Sequence, residues 1–436
     1  MTRFGRAVCL FVVAAAWLAV PVASGLVDGA ADAKSKRAKK HTASRHKMPS
    51  QVHLAAKAPT RGIVADTIGD AALEKPLRVL TRSEILAADP ASLERIGQHV
   101  MVGYHVFAQV KDLVEKRAIA GIFITDHNAR GRKAESIKAD IDALQAIRAA
   151  QGLPPLIIAA DQEGGMVSRL SPPLKRQKSL AEILRGLTDD DARRAAVEDF
   201  ADMQAAELRR LGVTLNFAPV VDLNLNPKNR RDGETRLRVR AISADPEVVA
   251  KVAGWYCDTI AQAGIMCTLK HFPGLGRVTR DTHVTTGEIT VGEDTLVAND
   301  WVPFRKVMTK STAVMMVGHV RVAAIDKDIP ASYSKAVIGN LIRKTWGYDG
   351  LVITDDFSMG AITRSKGGVG KAAVATLNAG SDIVLVSYLE KHFDAVMTIL
   401  LAADQAGDID TATRSASRDR IARVIKLAGQ SAADAK

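Results

Sequence analysis

The chain has 436 residues, 47% hydrophobic and 25% charged, a composition that excludes a disordered or fibrous protein and allows a substantial core. A net charge of +12 suggests a polyanion binder, but residues 1–60 carry +8 of it and the remainder only +4. The basicity belongs to a tail, so no nucleic acid is expected as a partner.

In chain order, Arg3 and Arg6 precede an apolar run from Val8 to Val22, a length suited to a signal peptide rather than a membrane span. Small residues follow at Ala23, Ser24 and Gly25. Residues 1–30 read as a signal peptide, with an uncleaved N-terminal anchor as the alternative. Export, with the periplasm as destination and no membrane span after cleavage, is the expectation. Residues 31–75 read as a disordered basic linker, since "KSKRAKKHTASRHK" (34–47) holds seven Lys/Arg and no acid. Cys257 and Cys267 lie in the body. They suit a disulfide in an oxidising compartment and two buried thiols equally.

From residue 76 to 430, apolar runs alternate with amphipathic stretches. The runs are 99–105, 120–126, 155–161, 213–222, 264–272, 313–320, 350–356 and 381–387. Stretches such as Ala192–Leu211 and Pro246–Ala263 separate them. Continuous apolar strands divided by helices indicate an α/β fold with a parallel sheet covered on both faces. Eight of them predict a (β/α)8 TIM barrel forming a single catalytic domain. No GxGxxG turn follows the first strand, which disfavours a dinucleotide fold.

Several strands run from apolar core into polar groups at their carboxyl ends: Asp161-Gln162-Glu163, Asp222, Lys270-His271, His319 and Asp355-Asp356. In a barrel that face carries the chemistry. Asp355 suits a nucleophile attacking an anomeric carbon, or equally an N-cap for a following helix. Asp356 would point elsewhere. Within "RDTH", Asp281 and His283 stand two apart, where the carboxylate orients one ring nitrogen and frees the other for proton transfer. Glu163 is the one glutamate after a strand that competes for that role. Pro273, Gly274 and Gly276 make the link from Lys270 to His283 a loop able to close over a substrate. Lys270 and His271, with Asp161 and Arg169, suit the gripping of sugar hydroxyls. The rival reading, a metal site at His271, Asp281, His283, His319 and Asp355, lacks an HxH or HExxH motif; no metal or cofactor is expected.

Three blocks in one order, "DQEGGMVSRL" (161–170), "KHFPGLGRVTRDTH" (270–283) and "ITDDFSMGAI" (353–362), resemble signatures of glycoside hydrolase family 3. The second resembles its β-N-acetylhexosaminidase branch. The resemblance implies a TIM barrel and a retaining β-N-acetylglucosaminidase that works through a covalent intermediate without a cofactor. It implies Asp355 as nucleophile, His283 as acid/base and Asp281 as its carboxylate partner. Asp161, Arg169, Lys270 and His271 would hold the terminal N-acetylglucosamine. The substrates would be peptidoglycan fragments (muropeptides) or chitin oligosaccharides. Leu275 stands where relatives commonly carry a second histidine, and Arg277 where they often carry a small or acidic residue. The segment 226–246 is longer and more basic than in the family. Counting back from Asp245-Pro246 selects Arg240 as the sugar-binding arginine, and counting forward from Asn226 selects Arg236. The stretch after Asp355 leaves no room for the second domain of two-domain β-glucosidases in the family. A glycoside phosphorylase or β-glucosidase of the same family, and a catalytically silent wall-sugar-binding protein, are the competing functions; the oligomeric state stays open.

Overall fold

The computed structural model describes residues 77–434, apart from 230–232, 310–312 and 366. The expected signal peptide (1–30) and the expected linker (31–75) both lie outside the described residues. Eight strands lie in the eight predicted runs: β1 (Val100–Gly103), β2 (Gly121–Ile124), β3 (Ile157–Ala160), β4 (Leu215–Asn216), β5 (Thr268–Phe272), β6 (Val314–Val317), β7 (Val352–Thr354) and β8 (Val384–Val386).

All pairings among these eight are parallel. One sheet runs in the order β8-β1-β2-β3-β4 and a second in the order β7-β6-β5. Isolated parallel bridges join the two: Leu215 with Met266 and Val220 with Lys270 on one side, Ile353 with Ile383 on the other. Two short ribbons also form, Gln162–Gly164 against Val167–Ser168 and Gly287–Ile289 against Val320–Val322. Neither was expected, because runs of two or three residues carry no readable period.

The strands are largely apolar because both faces are buried, with Asn216, Thr268, Lys270, His271 and Thr354 as buried polar residues among them. Met101, Phe123, Ala159, Leu215, Met316, Ile353 and Leu385, drawn from both sheets, pack into one cluster. Their neighbours Val102, Ile122, Ile158, Met315, Val352 and Val384 face the helices in another. This alternation is the strand period of two.

Two long helices follow their predicted stretches. The first, α1 (Asp190–Leu211), begins where the Asp189 carboxylate accepts from the Ala192 N–H and ends at Gly212, whose φ of 88° suits glycine. In the second, α2 (Pro246–Gln262), Asp245 accepts from the N–H groups of Glu247 and Val248, and Pro246 fills the first turn. A disulfide joins Cys257 of α2 to Cys267 at the amino end of β5, with Cα atoms 5.4 Å apart. Of the two readings for these cysteines, the structure has the pair.

Candidate active site

A cavity of about 350 Å³ opens at the carboxyl ends of the strands. Asp161, Arg169, Arg240, Lys270, His271, His283 and Asp355 all line it. Asp281 sits behind His283, buried. Residues predicted from separate strand ends therefore meet in one place, as parallel strands require when each runs out of its core at the same face.

Asp355 follows β7, its N–H donating to the Val317 carbonyl at 2.9 Å. One carboxylate oxygen accepts from the Asp356 N–H at 2.9 Å. It caps no helix, because the next one (Gly360–Thr363) has Met359 at its N-cap; that alternative is removed. Burial works to raise the Asp355 pKa, but the imidazoles of His271, His319 and His283 outweigh it and hold the carboxyl below its ordinary value. Asp356 serves the loop: its carboxylate accepts from the N–H groups of Ser358 and Ser387, each at 2.9 Å. Burial raises its pKa.

His283 Nδ1 lies 2.9 Å from Asp281 Oδ1, which also accepts from the His283 N–H at 3.0 Å and the Thr235 hydroxyl at 2.9 Å. The second Asp281 oxygen accepts from the N–H groups of Glu234, at 2.6 Å, and Thr235, at 3.2 Å. Burial opposes the charge on Asp281, yet these donors hold its pKa down at about 2. A fixed carboxylate at Nδ1 leaves Nε2 as the working nitrogen.

The opposite side of the cavity is a buried ion network. Lys270 Nζ is 2.7 Å from both Asp161 and Glu163. Arg240 meets Glu163 with two parallel bonds, at 2.9 Å and 2.6 Å. Burial opposes each of these charges, but the opposite charges win, lowering the pKa of Glu163 and raising those of Lys270 and Arg240. Arg169 lines the cavity with its side chain exposed. Of the two counted arginines, Arg240 faces the cavity, whereas the exposed Arg236 folds back onto the Gly233 carbonyl at 2.6 Å.

Second partners aim the first ones. Asp222 accepts from His271 Nδ1–H at 2.8 Å and from the Leu275 N–H at 2.6 Å, leaving His271 Nε2 for the cavity. His319 Nε2 donates to the Asp356 carbonyl at 3.0 Å, and its Nδ1 lies 2.8 Å from the Ser332 hydroxyl. Asp222 and His319 end apolar strands, so a signal for them existed. Thr235, Ser332 and the pairing role of Glu163 carried none. The connecting loop, read as able to close over a substrate, is held in this structure by contacts with other segments. Arg277 pairs with buried Asp300 at 2.8 Å, and the His283 carbonyl accepts from the Gly360 N–H at 2.8 Å.

The model for the glycosyl hydrolase family 3 N-terminal domain matches residues 93–424. The chain is 34% identical over 354 residues to Beta-hexosaminidase LpqI of Mycobacterium tuberculosis, covering 77% of this chain and 84% of that one. It is 37% identical over 300 residues to a beta-hexosaminidase of Stenotrophomonas maltophilia, covering 69% and 85%. Among solved structures it is similar to a glycoside hydrolase family 3 β-N-acetylglucosaminidase from Paenibacillus, with a TM-score of 0.71 and 30% identity. That match covers 77% of this chain and 62% of the Paenibacillus one. The structure of LpqI matches with a TM-score of 0.66 and 31% identity, covering 80% and 97%.

Proposed function

The chain belongs to glycosyl hydrolase family 3, and from that premise we propose that it is a retaining β-N-acetylglucosaminidase using Asp355 and His283. The observation that carries this is one cavity shared by two complementary groups, a carboxylate kept ionised by imidazoles and an imidazole oriented by a carboxylate. Asp355 attacks the anomeric carbon while His283 Nε2 protonates the departing oxygen. The ester then yields to water that His283 deprotonates, and this second inversion at the anomeric carbon cancels the first, giving net retention. Lys270, Asp161, Arg169, Arg240 and His271 hold the hydroxyls of the terminal N-acetylglucosamine, as paired, preoriented donors and acceptors suit a polyol.

The substrates we propose are β-linked N-acetylglucosamine termini of peptidoglycan fragments or chitin oligosaccharides. The bridges at both seams between the sheets support reading the eight strands as one closed (β/α)8 barrel. The Cys257–Cys267 disulfide supports an exported protein in an oxidising compartment. Among the described residues no helix is long and apolar enough to cross a membrane.

Mass spectrometry after incubation with a fluorinated slow N-acetylglucosaminide tests the reading. The sugar is expected on the peptide containing Asp355, with free sugar and no sugar 1-phosphate released from ordinary substrate in phosphate buffer. Attachment to another residue overturns the assignment, and a sugar 1-phosphate product overturns hydrolysis.

A further inference from the structure

Thr235 lies between Asn226-Pro227 and Asp245-Pro246, where the resemblance leaves the register open and assigns it no role. It is buried, 4% exposed, and touches both halves of the site. Its hydroxyl donates to Asp281 Oδ1 at 2.9 Å and lies 3.3 Å from His283 Nδ1. Its N–H donates to the other Asp281 oxygen at 3.2 Å. Its carbonyl accepts from Arg240 Nη1 at 2.7 Å, and the same guanidinium grips Glu163.

We infer that Thr235 is a positioning residue for the acid/base, holding Asp281 and the His283 ring so that Nε2 alone is presented for proton transfer. The hydroxyl has one proton, and Asp281 takes it. Its remaining lone pairs face Nδ1–H, so hydroxyl and carboxylate together favour the tautomer with the proton on Nδ1. Burial keeps water from replacing the hydroxyl once it is removed. Through its carbonyl, the arginine on the sugar-gripping side fixes the peptide that fixes the acid/base. The two halves of the site therefore share one rigid strap. The inference rests on the acid/base role of His283 proposed above.

The test uses the full chain with Thr235→Val and Thr235→Ser, and two β-N-acetylglucosaminides of different leaving group. A 4-nitrophenolate leaves with little help from an acid, whereas the sugar alkoxide of N,N′-diacetylchitobiose needs a proton. Thr235→Val is expected to lose kcat/KM on the disaccharide by roughly tenfold more than on the nitrophenyl glycoside. Thr235→Ser, which keeps the hydroxyl, is expected to return to within about threefold of wild type on both. Thr235→Ala replaces the valine variant if that one melts early by circular dichroism. Equal losses on the two substrates, no loss on the disaccharide, or a serine variant as impaired as valine would each overturn the inference. His283→Ala separates the two levels. An active wild type whose His283→Ala variant shows no leaving-group selectivity overturns the acid/base reading, and the inference with it. Selectivity in His283→Ala but not in Thr235→Val overturns the inference alone.

Discussion

The N–H of Gly360 donates to the carbonyl of His283 at 2.8 Å, so the loop carrying the proposed acid/base rests directly on the loop that follows the proposed nucleophile, Asp355. Arg364 adds a bond to the Val284 carbonyl at 3.1 Å, and Thr286 one to the Ala361 carbonyl at 3.3 Å. The two proposed catalytic groups are thus registered by backbone contact as well as by their own surroundings.

That contact requires glycine. A Cβ at position 360 would meet the Val284 carbonyl oxygen at 2.5 Å and the His283 carbonyl oxygen at 2.8 Å. Gly360→Ala must push the loops apart, and displacement by about 1 Å costs on the order of 100-fold in rate. We expect kcat to fall by roughly that factor. The inhibition constant of free N-acetylglucosamine, which we propose is held on the Lys270 and Arg240 side, should change by less than about threefold. Steady-state kinetics with product inhibition checks both numbers.

Acid stability should register Asp281. Its folded pKa is about 2 against an ordinary value of 3.8. Between those values the unfolded chain binds the extra proton, so stability rises with pH across that window. The contribution is fully present above pH 3.8 and is lost as pH falls through about 2. For a group this buried it amounts to roughly 2 kcal/mol. Asp281→Asn should flatten the dependence of unfolding free energy on pH in that interval, measured by urea titration at several pH values. A curve parallel to wild type there would contradict the assignment of those hydrogen bonds.

Arg277 and Asp300 give a prediction of opposite pH sign. Asp300 is 1% exposed, and burial raises its pKa although Arg277 pulls the other way. A carboxyl with a raised folded pKa costs stability above that pKa and is relieved below it. Arg277→Ala leaves the buried charge unpaired and should cost roughly 3 kcal/mol at neutral pH. The loss should shrink as pH falls, and Asp300→Asn in the same chain should recover most of it. Thermal unfolding of the single and double variants at pH 5 and pH 8 measures this.

The strands were legible because burial on both faces keeps the runs largely apolar, and three of them lead into the polar groups at Asp161, Lys270 and Asp355. Arg240 was legible only as one of two counts, since counting from Asn226-Pro227 and from Asp245-Pro246 gives different registers. The loop read from Pro273, Gly274 and Gly276 makes contacts that its own residues do not announce. Those residues permit a bend without saying what holds it, and the holders, Asp300 and Gly360, are remote in the chain.

By itself, then, the sequence determined the order of apolar strands, the caps of the long helices and which residue types end each strand. These depend on neighbours a few positions apart. Only the tertiary structure decided that Glu163 pairs with Arg240 across 77 positions, that Thr235 stands behind Asp281, and that Cys257 meets Cys267. Such pairings depend on distances between side chains brought together by the packing of strands and loops, and no local period encodes them.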